Sequence, residues 1–259
     1  MTAPPPFELR VLATPADVMT EAARRVVAAA EAALHAAGRF VVVLSGGSTP
    51  RALYRLLATD AYAARIDWSR VHVFWGDERC VPPDDANSNY RMACEALLDH
   101  VAIPAPQVHR IHGEDAPHLA AAAYERELRA AFPNGTPRFD LVLLGMGDNG
   151  HTASLFPHLT AVREPARWVV AEHVPEVAMW RVTLTPPALN AAAAVLFIAT
   201  GAEKASMLRQ VLQGPRTPEA LPAQSIAPTA GHLTWLVDAA AAARLDGAAP
   251  VSSPGRSSV

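Results

Sequence analysis

The stretch Phe40-Val-Val-Val-Leu-Ser-Gly-Gly-Ser-Thr-Pro50 decides the fold. Its first half, Phe40–Leu44, is an unbroken apolar run rich in valine, which suits a strand buried on both faces. Its second half, Ser45–Pro50, supplies two glycines for a sharp turn, then hydroxyls, then a proline fitted to the first turn of a helix. A buried strand that passes through a glycine turn into a helix is the building unit of a parallel sheet. Upstream, Thr14-Pro15 reads as an N-cap followed by proline at the first helical position. It opens an alanine-rich helix that runs to Ala37 and stops at Gly38.

The same alternation continues downstream. Val71–Trp75 reads as a strand, Asn87–His100 as a helix, Val108–Ile111 as a short strand, Ala116–Phe132 as a helix and Phe139–Leu144 as a strand. Trp168–Ala171 and Arg181–Leu184 are two further strands. Val195–Thr200 leads into a helix at Ala202–Leu212, and His232–Val237 into a last helix at Ala239–Leu245. The expected class is α/β, with a mainly parallel central sheet and helices on both faces in a Rossmann-like arrangement. The proline-containing loops near Pro104–Pro106, Pro133–Pro137 and Gly214–Pro222 are too short to divide the chain. Residues 1–246 are therefore expected to form one domain. Pro4–Pro6 reads as a stiff leader, and 247–259, rich in Ser, Pro, Gly and Ala, as a flexible tail.

With 259 residues, 51% of them hydrophobic, the chain is long enough to bury a sizeable core. Its formal net charge of −3 gives no overall basic surplus to recruit nucleic acid, so any anion recognition must be local. Its apolar stretches are too short to span a bilayer, and its N-terminus lacks a basic segment followed by an apolar one. These features set the cytoplasm as the expected compartment, and a monomer is the expected state. The two cysteines, Cys80 and Cys94, make no C-x-x-C pair and read as small packed residues.

In a sheet of this kind ligands bind beyond the carboxyl ends of the strands, so the residues that follow each strand carry the chemistry. Gly46, Gly47, Ser48 and Thr49 place a close-approaching backbone, hydroxyls and a helix N-terminus together, which favours an anion such as phosphate. The G-K-[ST] ending of a Walker loop is missing. An ordinary strand–helix turn is the bland alternative. Asp77, Glu78 and Arg79 follow the second buried strand directly. Arg79 offers a guanidinium fork for phosphate or carboxylate, and an ion pair with Asp77 or Glu78 is its structural alternative. Gly145-Met-Gly-Asp-Asn-Gly150-His151 follows a third strand, and a histidine at such a point is suited to general-base work. His109 and His112 are close in sequence but have no evident third ligand, so no metal is expected. Arg181 and Lys204 lie at a strand start and a helix start, where a solvated charge is the usual reading.

Taken together these segments resemble the 6-phosphogluconolactonase family. The matching stretches are LSGGSTPRALY (44–54), FWGDERCVPPDDANSNYRMA (74–93), FDLVLLGMGDNGHTASLFP (139–157), RVTLTPPALNAA (181–192), GAEKA (201–205) and LPAQSI (221–226), in the family's order. The resemblance implies a fold shared with glucosamine-6-phosphate deaminase and ribose-5-phosphate isomerase. It implies hydrolysis of 6-phospho-D-glucono-1,5-lactone to 6-phosphogluconate in the oxidative pentose phosphate pathway, without a cofactor. His151 would be the general base. Gly46, Gly47, Ser48 and Thr49, with Asp77, Arg79, Arg181 and Lys204, would bind the sugar phosphate, and Asn87 and Asn89 would line or shape the pocket. The family usually has Asp directly before the Gly-His pair. Here that position is Asn149, with Asp148 one residue earlier. Two alternatives remain: a 6-phosphosugar isomerase or deaminase on the same fold, and a non-catalytic sugar-phosphate sensor.

Overall fold

A computed structural model describes residues 6–247. Most of the leader and residues 248–259 of the expected tail lie outside the described residues. The chain opens with a strand the sequence did not announce, β1 (Glu8–Leu12). Helix α1 (Pro15–Ala37) follows as expected. Thr14 and Asp17 form a reciprocal capping box, and Gly38 closes the helix at φ 71°, donating to the Leu34 carbonyl at 3.1 Å. Caps of this kind contribute about 1 kcal/mol each, and they set the helix ends to the residue.

Strand β2 (Phe40–Leu44) is buried along its whole length and leads to α2 (Ser48–Leu57) and a single turn, α3 (Asp60–Ala63). Strand β3 (Val71–Trp75) continues after Gly76 into β4 (Asp77–Arg79). Helix α4 (Asn89–Ala96), strand β5 (Val108–His109), helix α5 (Pro117–Ala131) and strand β6 (Leu141–Leu144) follow. Then come β7 (Val169–Val174), β8 (Met179–Leu184), the short α6 (Pro186–Leu189), β9 (Ala194–Ala199), α7 (Ala205–Gln213) and β10 (His232–Asp238).

Seven strands form one wholly parallel sheet in the order β1-β10-β9-β6-β2-β3-β5. From β2 the chain moves outward through β3 to β5, then returns to place β6 on the other side of β2. The gap between the carboxyl ends of β2 and β6 is thus a topological switch point, where a doubly wound sheet opens a crevice. The register there is Val42↔Leu141 and Val43↔Val142. The interior of the sheet is filled by large side chains. Phe197 stacks on Trp235 at 3.9 Å, and Phe74 packs against Tyr124, Phe132 and Phe139. Burying each such ring stabilises the fold by about 1.5–3 kcal/mol.

Four expectations need correction. Asp77–Arg79, expected only as polar residues trailing the second buried strand, is itself a strand, and with β8 and β7 it makes a second, antiparallel sheet in the order β4-β8-β7. Its polar sequence carries no strand signature because its pairing partner supplies the order. Helix α4 is shorter than Asn87–His100: Ser88 caps it, and after Leu97, at φ −144°, only a 3-10 turn (Leu98–His100) continues. The helix expected at Ala202–Leu212 begins with a 3-10 turn, Ala202–Lys204. Ala239–Leu245 forms consecutive turns rather than a helix. Asp238 Oδ1 accepts from the Ala241 amide at 2.8 Å and from the Gly201 amide at 3.1 Å, and the bonds that follow mix i+3 and i+4 spacings. Tertiary contacts there override alanine's helix preference.

Candidate active site

The two glycine loops leave the sheet on either side of the switch point, and buried tyrosines pin the strand ends. Tyr54 of α2 turns its hydroxyl back to Ser45, accepting from the amide and donating to the carbonyl, both at 2.9 Å. Tyr124 of α5 does the same at Trp75, at 2.8 and 3.1 Å. Burial pushes both phenols up, so they act as neutral clasps. Beyond Ser45, Gly47 takes φ 108°, a conformation suited to glycine, and caps α2. The amides of Ser48 and Thr49 have no acceptor within the helix and form a ready anion site. Gly46 is required for a different reason. A Cβ there would overlap the Asn89 carboxamide, which is packed into the loop with Asn89 only 2% exposed.

Strand β4 sorts its acids by role. Glu78, also 2% exposed, accepts from the amides of Arg79, Asn89 and Tyr90 at 2.7–2.8 Å and from the Ser88 hydroxyl at 3.0 Å. It caps α4 rather than neutralising Arg79, and burial raises its carboxyl above the ordinary range. Asp77 accepts from the Ser154 hydroxyl at 2.6 Å and lies 3.8 Å from the Arg181 guanidinium. Arg79 and Arg181 are register partners across the antiparallel pair. Arg79 donates through Nη1 to the Asn87 carbonyl. The Nε of each arginine, and the Ser45 hydroxyl, are buried without a protein partner among the described residues. Buried polar atoms are usually satisfied, and three of the six side-chain atoms buried without a partner among the described residues converge on one cavity, as a site built to receive a polar ligand would require.

His151 sits in the second glycine loop, which follows β6. Its ring stacks on Phe156 at 4.2 Å, and the Arg181 guanidinium lies over the same Phe156 ring at 5.9 Å. Asn149 Oδ1 is 2.6 Å from His151 Nδ1 and accepts from the His151 amide at 3.1 Å. Nδ1 is therefore the protonated nitrogen, and Nε2 keeps its lone pair. Burial drives the His151 pKa down to about 4. Asp77 and Asp148 pull it up, while Arg181 and Lys204 push it lower. At neutral pH His151 is an uncharged acceptor. Asp148 does not reach the ring: its carboxylate pairs with Lys204 at 2.5 Å.

These elements enclose a cavity of about 440 Å³. Of the residues predicted from sequence, it is lined by His151, Gly46, Gly47, Ser48, Thr49, Asp77, Arg79, Asn89, Arg181 and Lys204. Asn87 is not brought to it. Its side chain bonds Asp85 at 3.0 Å, and it serves only through the carbonyl that holds Arg79. Sequence reading missed Phe156, Ser154 and Glu203. Glu203 lines the cavity, while Phe156 and Ser154 act from behind it. The motif GHTASLFP contains two of them, but nothing in their residue types signals that one stacks on His151 and the other holds Asp77. The histidines His72 and His109 form a separate chain ending on Glu127 (3.1 and 2.6 Å) away from this cavity. Among the described residues no group of three His, Cys, Asp or Glu side chains is placed to hold a metal ion.

The geometry agrees with what the chain is similar to. The family model described as glucosamine-6-phosphate isomerases/6-phosphogluconolactonase matches residues 13–235. The 6-phosphogluconolactonase of Mycobacterium tuberculosis is 42% identical over 238 residues, covering 88% of this chain and 95% of that protein. The solved structure of 6-phosphogluconolactonase from Trypanosoma cruzi superposes with a TM-score of 0.84 at 31% identity, over 94% of this chain and 98% of that one. A monomeric glucosamine-6-phosphate deaminase, at 20% identity and a TM-score of 0.78 over 92% of this chain and all of that one, shares the fold. A match across this much of the chain, with the strand-end loops in place, makes the chain a member of the glucosamine-6-phosphate isomerase/6-phosphogluconolactonase family.

Proposed function

We propose that the chain hydrolyses 6-phospho-D-glucono-1,5-lactone to 6-phosphogluconate in the oxidative pentose phosphate pathway, with residues 1–246 acting as one domain, as a monomer, in the cytoplasm. No helix among the described residues is long and apolar enough to cross a membrane. The observation that carries the reading is a neutral His151, its Nε2 without a hydrogen-bond partner among the described residues, in a cavity that also holds a helix N-terminus, two orphaned arginine Nε groups and Lys204.

A δ-lactone is an activated ester and needs no covalent nucleophile. The α2 N-terminus, Arg79, Arg181 and Lys204 hold the 6-phosphate, far from the reacting carbon, and that binding energy orients the ring. His151 Nε2 takes a proton from water as the water oxygen bonds to C1. The C1–ring oxygen bond then breaks, and the proton is returned to the departing oxygen. General-base help of this kind is worth about 10²–10⁴-fold. The depressed pKa keeps the base deprotonated, and the acids Asp77 and Asp148 support the imidazolium as it forms.

The test is to generate the lactone in place from glucose 6-phosphate and follow its decay at mildly acidic pH, where spontaneous hydrolysis is slow. Accelerated decay that is lost in His151→Ala, with 6-phosphogluconate still bound, is the expected result. Decay at the spontaneous rate with a folded protein overturns the reading. Binding of 6-phosphogluconate without turnover then identifies a sensor, and ammonia release from glucosamine 6-phosphate a deaminase.

A further inference from the structure

We propose that Glu176, at the tip of the β7–β8 hairpin and outside the cavity, is a positioning residue that fixes through the Asn149 carboxamide which nitrogen of His151 carries the proton. The inference rests on His151 being the base.

Asn149 is bonded from two sides by groups of opposite kind. On one side the His151 backbone amide, a donor only, meets Oδ1 at 3.1 Å. On the other, Asn149 Nδ2 donates to Glu176 Oε2 at 3.2 Å, and a carboxylate there only accepts. The two contacts demand the same amide orientation, oxygen toward the histidine and NH₂ toward the hairpin. In that orientation Oδ1, 2.6 Å from Nδ1, can only accept, so the ring proton is held on Nδ1 and Nε2 is left free for water. A flipped amide would present NH₂ to Nδ1, move the proton to Nε2 and silence the base.

The hairpin is shaped to deliver this contact. The chain turns through Pro175–Val177, and Ala178 takes a left-handed conformation at φ 46° and ψ 42°. Strand β8, which leaves the turn, also carries Arg181 into the cavity. One element thus supplies both a ligand-facing cation and the outer anchor of the base. A carboxylate directly at position 149 would bring two anions face to face at this point. With asparagine between them, the Glu176 charge is set back by one amide, and the bonding chain Glu176–Asn149–His151 has donors and acceptors matched at each link.

The experiment compares Glu176→Ala, Glu176→Gln and Glu176→Lys with the wild-type protein by lactone turnover and by the ¹⁵N shifts of the imidazole. His151→Gln identifies the resonances. Glu176 is exposed, so these substitutions leave the core untouched. Gln still presents an acceptor to Nδ2, whereas Lys presents only donors and favours the flipped amide. The expected order of kcat is wild type, then Gln close behind, then Ala lower by about threefold to tenfold, then Lys lowest, with KM little changed. The Nδ1-protonated signature of His151 should weaken in the same order. Wild-type kcat and an unchanged Nδ1–H signature in Ala and Lys would overturn the proposal, as would a Gln variant as impaired as Lys. Absence of lactone turnover in the wild type would count against the enzyme reading alone, because the ring tautomer still reports on Glu176.

Discussion

The His151 imidazole rests on the backbone of Gly147, in the space a Cβ at that position would occupy. The amide of Gly147 also donates to the His151 carbonyl at 2.8 Å, so the loop folds back on itself and closes the ring against glycine. Adding one methyl group there must move the ring, the backbone or both. Gly147→Ala is therefore expected to lower kcat by at least about tenfold, since displacement of a base by 1 Å is costly, while KM changes less. Steady-state kinetics with a thermal melt checks this. Wild-type kcat in a folded variant would show that the loop absorbs the methyl group.

The charges around His151 make its basicity depend on the ligand. Burial holds its pKa down, and Arg181 and Lys204 lower it further against Asp77 and Asp148. An anion bound between those cations offsets their field, so 6-phosphogluconate is expected to shift the His151 titration upward from about 4. An NMR titration with and without the ligand measures it, and a downward or absent shift would contradict the assigned anion position. The same group sets a stability trend without ligand. Its folded pKa lies below the ordinary imidazole value near 6.5, so the unfolded chain binds the extra proton. Its contribution to stability is complete above about pH 6.5 and is lost as pH falls toward about 4.

Arg79 and Arg181 face each other across β4 and β8 with their Nε groups unspent. Arginine's fork suits a phosphate in a way that a lysine point charge does not. Arg181→Lys is thus expected to raise KM by about tenfold or more while keeping the charge. Removing the cation altogether, as in Arg181→Ala, should in addition raise the His151 pKa. An unchanged KM in the lysine variant would mean that only net charge is read at this position.

Much of this was legible in the sequence where local chemistry and tertiary role coincide. The N-cap Thr14 with Pro15 behind it, the buried run Phe40–Leu44 and the glycine loops announce themselves because their residue types permit few other structures. Strand β4 was not legible. Asp77-Glu78-Arg79 has no apolar alternation, and it is a strand only because β8 lies beside it. Asn89 and Asn87 are the same residue type two positions apart, yet Asn89 reaches the cavity and Asn87 turns to Asp85. The start of α4 at Asn89, set by Ser88 and Glu78, makes that difference. The partner of His151 was half legible: Asn149 stands in the motif, whereas Glu176 lies 27 residues away on a hairpin tip.

Tyr54 offers a test of how the first loop is held. Its hydroxyl is the partner of both the Ser45 amide and the Ser45 carbonyl, and the residue is fully buried. Tyr54→Phe removes the oxygen without altering the ring, so it creates no large cavity. It does leave a buried donor and acceptor facing a hydrocarbon edge, a loss of about 1–3 kcal/mol. Thermal or urea unfolding should show that decrease. The loop that Ser45 opens also carries the amides of Ser48 and Thr49, the proposed seat of the phosphate. KM is therefore expected to rise more than kcat falls, because the phosphate seat loosens while His151 sits in another loop. A stability loss with unchanged KM would show that the α2 N-terminus keeps its place without the clasp. A variant as stable as wild type would mean that water takes over both bonds.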